Sequence, residues 1–170
     1  MAGFVYKGNR YANQGRVLKE ITLASSTEFT IGDAVKMSGA VLALWGNGGA
    51  GLGILVGFRK ADGNLVTDNG AGDDFTDTYT TPASNTVKGI VDISLNSLYS
   101  VAADAALGTT TGSDRFGVNF DCVAASNQID ESSVQAAGTT ASFFSEGADP
   151  DPQAASNSII VSIQESQLKI

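Results

Sequence analysis

The sequence predicts an all-β chain: a single antiparallel β-sandwich or barrel of about nine to eleven short strands, with an extended N-terminal arm and at most one short helix. Three observations lead there. Short apolar runs with two-residue alternation recur along the 170 residues, clusters of Gly, Ser, Thr, Asn and Asp separate them, and neither heptads nor a long helical periodicity occurs. A chain of this length makes about one domain. The arm is expected over 1–15 and the β-rich body over 16–170.

The elements follow in order. Met1–Gln14 carries Gly, Asn and the aromatics Phe4, Tyr6 and Tyr11 with little regular patterning, so it reads as an arm that orders against a partner. From Arg16 to Ala24 the residues alternate in part and read as a strand. Ser25–Thr27 is a turn, Phe29–Ile31 a short extended piece, and Gly32-Asp33 a second turn leading into Ala34–Met37. After Ser38-Gly39 comes the apolar run Ala40–Trp45, whose tryptophan reads as core.

The stretch Trp45–Phe58, WGNGGAGLGILVGF, has the glycine density of a phosphate cradle. A dinucleotide site needs its glycines between a strand and a helix, whose free N–H groups hold the pyrophosphate. Here Ile54, Leu55, Val56 and Phe58 follow at strand density, GxGxxG is missed by a residue, and no GxxxxGK[ST] occurs. The glycines therefore predict a hairpin loop over 46–51 joining two apolar strands.

Leu65–Thr67 is a short apolar piece before the acidic glycine loop 68–74. That loop has Gly70 and Gly72 where a calcium-binding helix-loop-helix needs Asp or Asn, and Tyr79 where it needs Glu, so it reads as an exposed loop. Thr76–Ser84 ends at Pro82 and suits an edge or long loop. Val87–Ser94 is a strand. Leu95–Gly108 fits helical spacing at 95, 98, 102 and 105/106, which allows one short helix or turn near 94–106, although Leu98–Val101 also suits a strand. Phe116–Cys122 alternates cleanly, with Cys122 inward and inert. Ser126–Ser133 is polar, Phe143-Phe144 sits in a short apolar piece, 147–152 is a loop stiffened by two prolines, and Ser158–Ile163 is the closing strand.

Composition restricts the chemistry. Histidine is absent, which removes the Ser–His–Asp and Cys–His arrangements and the usual zinc ligand sets. One cysteine excludes an intrachain disulfide. Carboxylate pairs at Asp73-Asp74, Asp130-Glu131 and Asp149/Asp151 all lie among turn residues and read as solvated turns. No enzyme activity, cofactor or metal is expected. The apolar runs fall short of the ~20 residues that cross a bilayer, and the start has no secretory pattern, so no membrane partner is expected.

The net charge of −8 is unevenly spread: residues 1–60 carry seven bases against three acids, residues 61–170 three bases against fifteen acids. Lys7, Arg10, Arg16 and Lys19 precede any acid. Such a split predicts a basic segment that meets an acidic surface, a neighbouring copy's body among the candidates. Nucleic acid is not expected, because four bases on an acidic body make a poor footprint.

The order of elements resembles the decoration, or cement, proteins of tailed-bacteriophage capsids. The residues that carry the resemblance are the basic aromatic N-terminus, Phe29-Thr-Ile-Gly32-Asp33-Ala-Val35 leading to Gly53-Ile-Leu-Val-Gly57, Val87-Lys-Gly89-Ile-Val-Asp92-Ile with Leu98-Tyr99-Ser-Val101, and the close Ile159–Ile163 with Glu165–Leu168. The resemblance implies a non-enzymatic virion protein made in the host cytoplasm. It would bind the outer capsid surface as a homo-oligomer, a trimer favoured, and reinforce contacts between major capsid protein subunits. Phe4, Tyr6, Lys7, Arg10, Tyr11, Arg16 and Lys19 are then the expected partner-facing residues. The alternative is a β-sandwich glycan-binding module of a tail fibre or adhesin, which would expose an aromatic platform.

Overall fold

The computed structural model describes residues 3–11, 15–46, 50–66, 77–107, 116–123, 127–136, 142–151, 153–154 and 157–164, with the backbone alone for 134–136. The loop 68–74 and the end of the chain beyond Gln164 lie outside these residues. All thirteen regular elements among them are strands: β1 Val5–Asn9, β2 Leu18–Thr22, β3 Glu28–Thr30, β4 Ala34–Ser38, β5 Val41–Leu44, β6 Gly53–Arg59, β7 Thr78–Thr80, β8 Lys88–Asp92, β9 Ser97–Ala102, β10 Val118–Cys122, β11 Ile129–Ala136, β12 Phe143–Ala148 and β13 Ser158–Ile163. The fold is all-β, as expected, with more strands than the nine to eleven anticipated.

The difference has local causes. β1 escapes the alternation rule because its pairing with β9 slips between Tyr6 and Gly8, a bulge at Lys7 that breaks the period of two. β11 is polar because it closes the far edge of its sheet, and an edge strand has only one neighbour to satisfy. No helix forms near 94–106: Leu95 and Asn96 turn, and Ser97–Ala102 is held as a strand between β1 and β13. Tertiary pairing overrides the helical spacing there.

Two sheets pack face to face. One runs β1-β9-β13-β12-β10-β11, the other β2-β8-β6-β4-β5, and β3 and β7 pair beside the second. The smaller sheet curls strongly, since a parallel bridge joins Leu23, just past β2, to Leu42 in β5. Leu23, Val35, Leu42, Leu55, Phe58 and Val91 fill its concave side, with Phe29 and Tyr79 of the β3–β7 pair packed on them. Its other side presents Ala34 and Ile54 to Tyr99, Phe120, Phe143 and Val161 of the larger sheet. Neighbouring residues of β4 and β6 thus enter different cores, which is why Ile54-Leu55 reads as a continuous apolar run.

The two sheets repeat one topology. Taking β2, β4, β5, β6 and β8 as one unit and β9 to β13 as another, both have the order first-fifth-fourth-second-third. In both, a parallel bridge closes first strand on third, Leu23 to Leu42 and Ala103 to Ile129. The register matches as well. Ile54 pairs with Ala34 and Asp92, as Phe144 pairs with Asn119 and Ser162. Each fourth strand has its bulge at the same step, between Leu55 and Gly57 and between Ser145 and Gly147. Hydrogen bonds outside the ladders repeat too: Gly32 N donates to Leu55 O at 2.8 Å and Gly117 N to Ser145 O at 3.0 Å. Both glycines have positive φ, +97° and +79°, where side chains are rarely tolerated.

The glycine stretch is explained by packing. A Cβ on Gly51 would lie 1.9 Å from the Trp45 ring, and one on Gly53 would lie 2.1 Å from the backbone oxygen of Asp92. These two glycines let a fully buried tryptophan and the β8 backbone approach the chain closely. Residues 47–49 of the expected loop lie outside the described residues.

Candidate functional site

The N-terminal residues are part of the larger sheet. Phe4 is buried, stacked on Phe143 with ring centroids 4.7 Å apart, and its N–H donates to Gly32 O at 2.9 Å. Lys7 meets Asp151 at 2.9 Å and Asp149 at 3.5 Å. The hydrogen bond to Asp151 leads the effects that raise the Lys7 pKa above its ordinary value. Arg10 pairs with Glu146, donates to Ser162 Oγ at 3.1 Å and lies over the Phe144 ring. The acidic surface that the basic segment meets is therefore, for these residues, the chain's own.

Arg16 takes part in the most polar buried centre. Its Nε donates to Asp92 Oδ2 at 2.8 Å, while its guanidinium lies 4.4 Å from the centre of the Tyr6 ring. The same fully buried carboxylate accepts from Tyr99 OH at 2.7 Å, Ser97 Oγ at 2.9 Å and Ser94 N at 3.0 Å. Burial pushes the Asp92 carboxyl up, but the hydrogen bonds from Tyr99, Arg16 and Ser94 outweigh it and hold it below the ordinary range. Tyr99 is pushed up, by burial first and by its bond to Asp92 second. Four donors converge on one carboxylate, which makes the centre a structural lock.

Several other carboxylates accept backbone hydrogen bonds. Asp149 accepts from Asp151 N and Asp151 from Gln153 N. Asp130 accepts from the backbone and hydroxyl of Ser132, and Asp104 from Glu131 N. Oxygens of Asp104, Asp130 and Glu131 lie within 4.8 Å of one another at the surface. Cys122 is buried, and burial pushes its thiol up to about 12, which suits an inert side chain.

Exposed apolar side chains concentrate on the N-terminal side. Of the eight large apolar side chains exposed among the described residues, six belong to the N-terminal side or its neighbouring turn: Val5, Tyr6, Tyr11, Val17, Leu18 and Leu95. They are drawn together by Arg10 N donating to Asn96 O, by Ile93 N donating to Val17 O, and by Arg16 stacking on Tyr6. Lys19 is exposed on β2.

Of the seven expected residues, Tyr6, Tyr11 and Lys19 are exposed in whole or part, Phe4 is core, and Lys7, Arg10 and Arg16 hold the chain's own acids. Val5, Val17, Leu18 and Leu95 are absent from the expected set. The available signal is Val17-Leu18 itself, two adjacent apolar residues that one alternating strand cannot both bury. Comparison with family models, with curated proteins and with solved structures finds no match.

Proposed function

We propose that the chain is a non-enzymatic structural protein of a tailed phage, one that binds the outer capsid surface and reinforces contacts between major capsid subunits. The observation that carries this reading is that six of the eight large apolar side chains exposed among the described residues lie on the N-terminal segment or its neighbouring turn, on an otherwise acidic chain. Exposed apolar side chains concentrated on one segment suit an adhesive face. The resemblance of the sequence to capsid decoration proteins names the partner. A homotrimer would join modest contacts into avid attachment. The glycan-binding alternative loses the one tryptophan, Trp45, which is fully buried, and would have to rest on Tyr6, Tyr11 or Phe116.

Binding to expanded empty shells of the phage that encodes the chain, measured by co-sedimentation and native mass, tests the reading. Saturable occupancy that falls at least about tenfold in a Tyr6→Ser/Tyr11→Ser variant is expected. No binding by the unaltered protein overturns it. Deleting residues 1–15 is a poor substitute, because it also removes β1 and the buried Phe4.

A further inference from the structure

The repeated topology makes one strand edge of the first unit comparable with an occupied edge of the second. Register equates β2 with β9: Lys19 faces Val91 as Tyr99 faces Val161, and Ile21 faces Gly89 as Val101 faces Ile159. On the outer side of β9 lies β1, antiparallel, with Val5 opposite Ser100, Tyr6 opposite Tyr99 and Gly8 opposite Leu98. Among the described residues no strand lies along the same side of Leu18–Glu20, because β2 ends its sheet and β5 meets this side only at Leu23 and Ala24, just past β2.

The bare edge has the right hydrogen-bonding phase. Leu23 N points to β8's side, donating to Val87 O, and Ala24 N points away, donating to Leu42 O. Alternation along a strand then turns the N–H groups of Leu18 and Glu20 outward. Their counterparts Leu98 and Ser100 are the residues opposite Gly8 and Val5 of β1. Val17 and Leu18 are 53% and 52% exposed along this edge.

We propose that the outer edge of β2 receives an extended segment of the shell subunit as an added antiparallel strand, in the register by which β1 lies on β9. This rests on the capsid reading above. Strand addition draws affinity from main-chain hydrogen bonds and specificity from alternate side chains. The residue occupying the place of Tyr6 would lie beside Lys19, which is exposed and makes no ion pair with any described residue. The complementary choice there is a carboxylate. A second copy's β2 fits badly: the register that overlaps the whole strand sets Glu20 against Glu20, a shift toward its start sets Lys19 against Lys19, and the opposite shift, Ile21 against Ile21, runs toward Leu23 and Ala24, which already pair with Leu42 of β5.

The test uses the full chain and the same empty shells. On binding, exchange of the Leu18 and Glu20 amides should slow by about tenfold or more. Lys19→Glu should weaken binding about tenfold, whereas Lys60→Glu, the same charge change in an exposed turn, should not. Leu18→Pro removes an outward N–H without touching the β8 ladder and should also weaken binding. If the unaltered protein does not bind shells, the capsid reading fails and this occupant with it. If it binds with unchanged exchange at Leu18 and Glu20, or if Lys19→Glu matches Lys60→Glu, the edge assignment alone is overturned. Loss of an oligomer in Lys19→Glu without shells assigns the edge to a second copy and overturns it equally.

Discussion

Replacing Asp92 by Asn perturbs the lock with almost no change in volume. The carboxylate accepts four hydrogen bonds at 2.7–3.0 Å, from Arg16, Tyr99, Ser97 and Ser94. The hydroxyls of Tyr99 and Ser97 can turn to accept from the new amide, but the Arg16 guanidinium has only donors and is left facing another donor. Breaking a buried charge pair from one side destabilises by about 3–5 kcal/mol. With a urea slope of about 2 kcal/mol per molar, the unfolding midpoint at pH 7 should fall by roughly 1.5–2.5 M. The gap must also depend on pH. Because the folded Asp92 carboxyl is held below its ordinary value of 3.8, its contribution is present above that value and is lost as pH falls through the folded pKa. The two proteins should therefore converge in acid. A loss under about 1 kcal/mol at pH 7, or a gap that persists unchanged well below pH 3.8, refutes the account of this carboxylate as the lock.

Asp33 has the opposite sign: burial, ahead of the opposing bond from Thr30 N, pushes its carboxyl from 3.8 to about 6. Its stabilising contribution is full below 3.8 and lost as pH rises through 6, so Asp33→Asn should raise stability at pH 7 by up to about 3 kcal/mol and leave it little changed at pH 3.5, as urea titration at the two values would measure. Gly53→Ala and Gly51→Ala should each lower stability by more than about 4 kcal/mol or prevent folding, read by thermal unfolding. Gly15→Ala, where a Cβ meets nothing within 4 Å, should stay within about 0.5 kcal/mol of the parent or gain slightly.

Much of the body is legible in the sequence because its strands obey simple rules. Phe116–Cys122 and Ser158–Ile163 alternate or run apolar between turns; the first is a strand from Val118 on, after a turn at Phe116-Gly117, and the second throughout. The glycine loop is separable from a nucleotide site by the strand-dense residues Ile54–Phe58 on its C-terminal side, although the reasons for Gly51 and Gly53 are long-range: a tryptophan ring and a β8 carbonyl, neither visible in local pattern. Three segments are opaque for physical reasons. β1 hides behind a bulge, β11 behind the polarity of an edge, and β9 behind spacing that also suits a helix. The basic N-terminus does seek acids, as its composition predicts, but charge counts carry no geometry. They cannot tell Asp149, Asp151, Glu146 and Asp92 of the same chain from a partner's acids.

The repeat is invisible in the sequence for a related reason. Equivalent positions keep a backbone requirement, such as positive φ at Gly32 and Gly117 or a bulge before Gly57 and Gly147, while their side chains answer to different surroundings. Two of the differences between the units lie at their junction. Asp92 ends the last strand of the first unit and matches Ser162 in the second, while Tyr99, in the first strand of the second unit, matches Lys19 in the first. Their hydrogen bond at 2.7 Å joins the two units through the shortest stretch of chain between them. A lock placed there makes opening of one unit expose a buried charge belonging to the other, so the halves gain by unfolding together. The same divergence leaves Lys19 at the surface where Tyr99 is covered by β1. Specialising one half for internal packing and the other for an open strand edge gives a duplicated fold a reason to keep its register and lose its sequence symmetry.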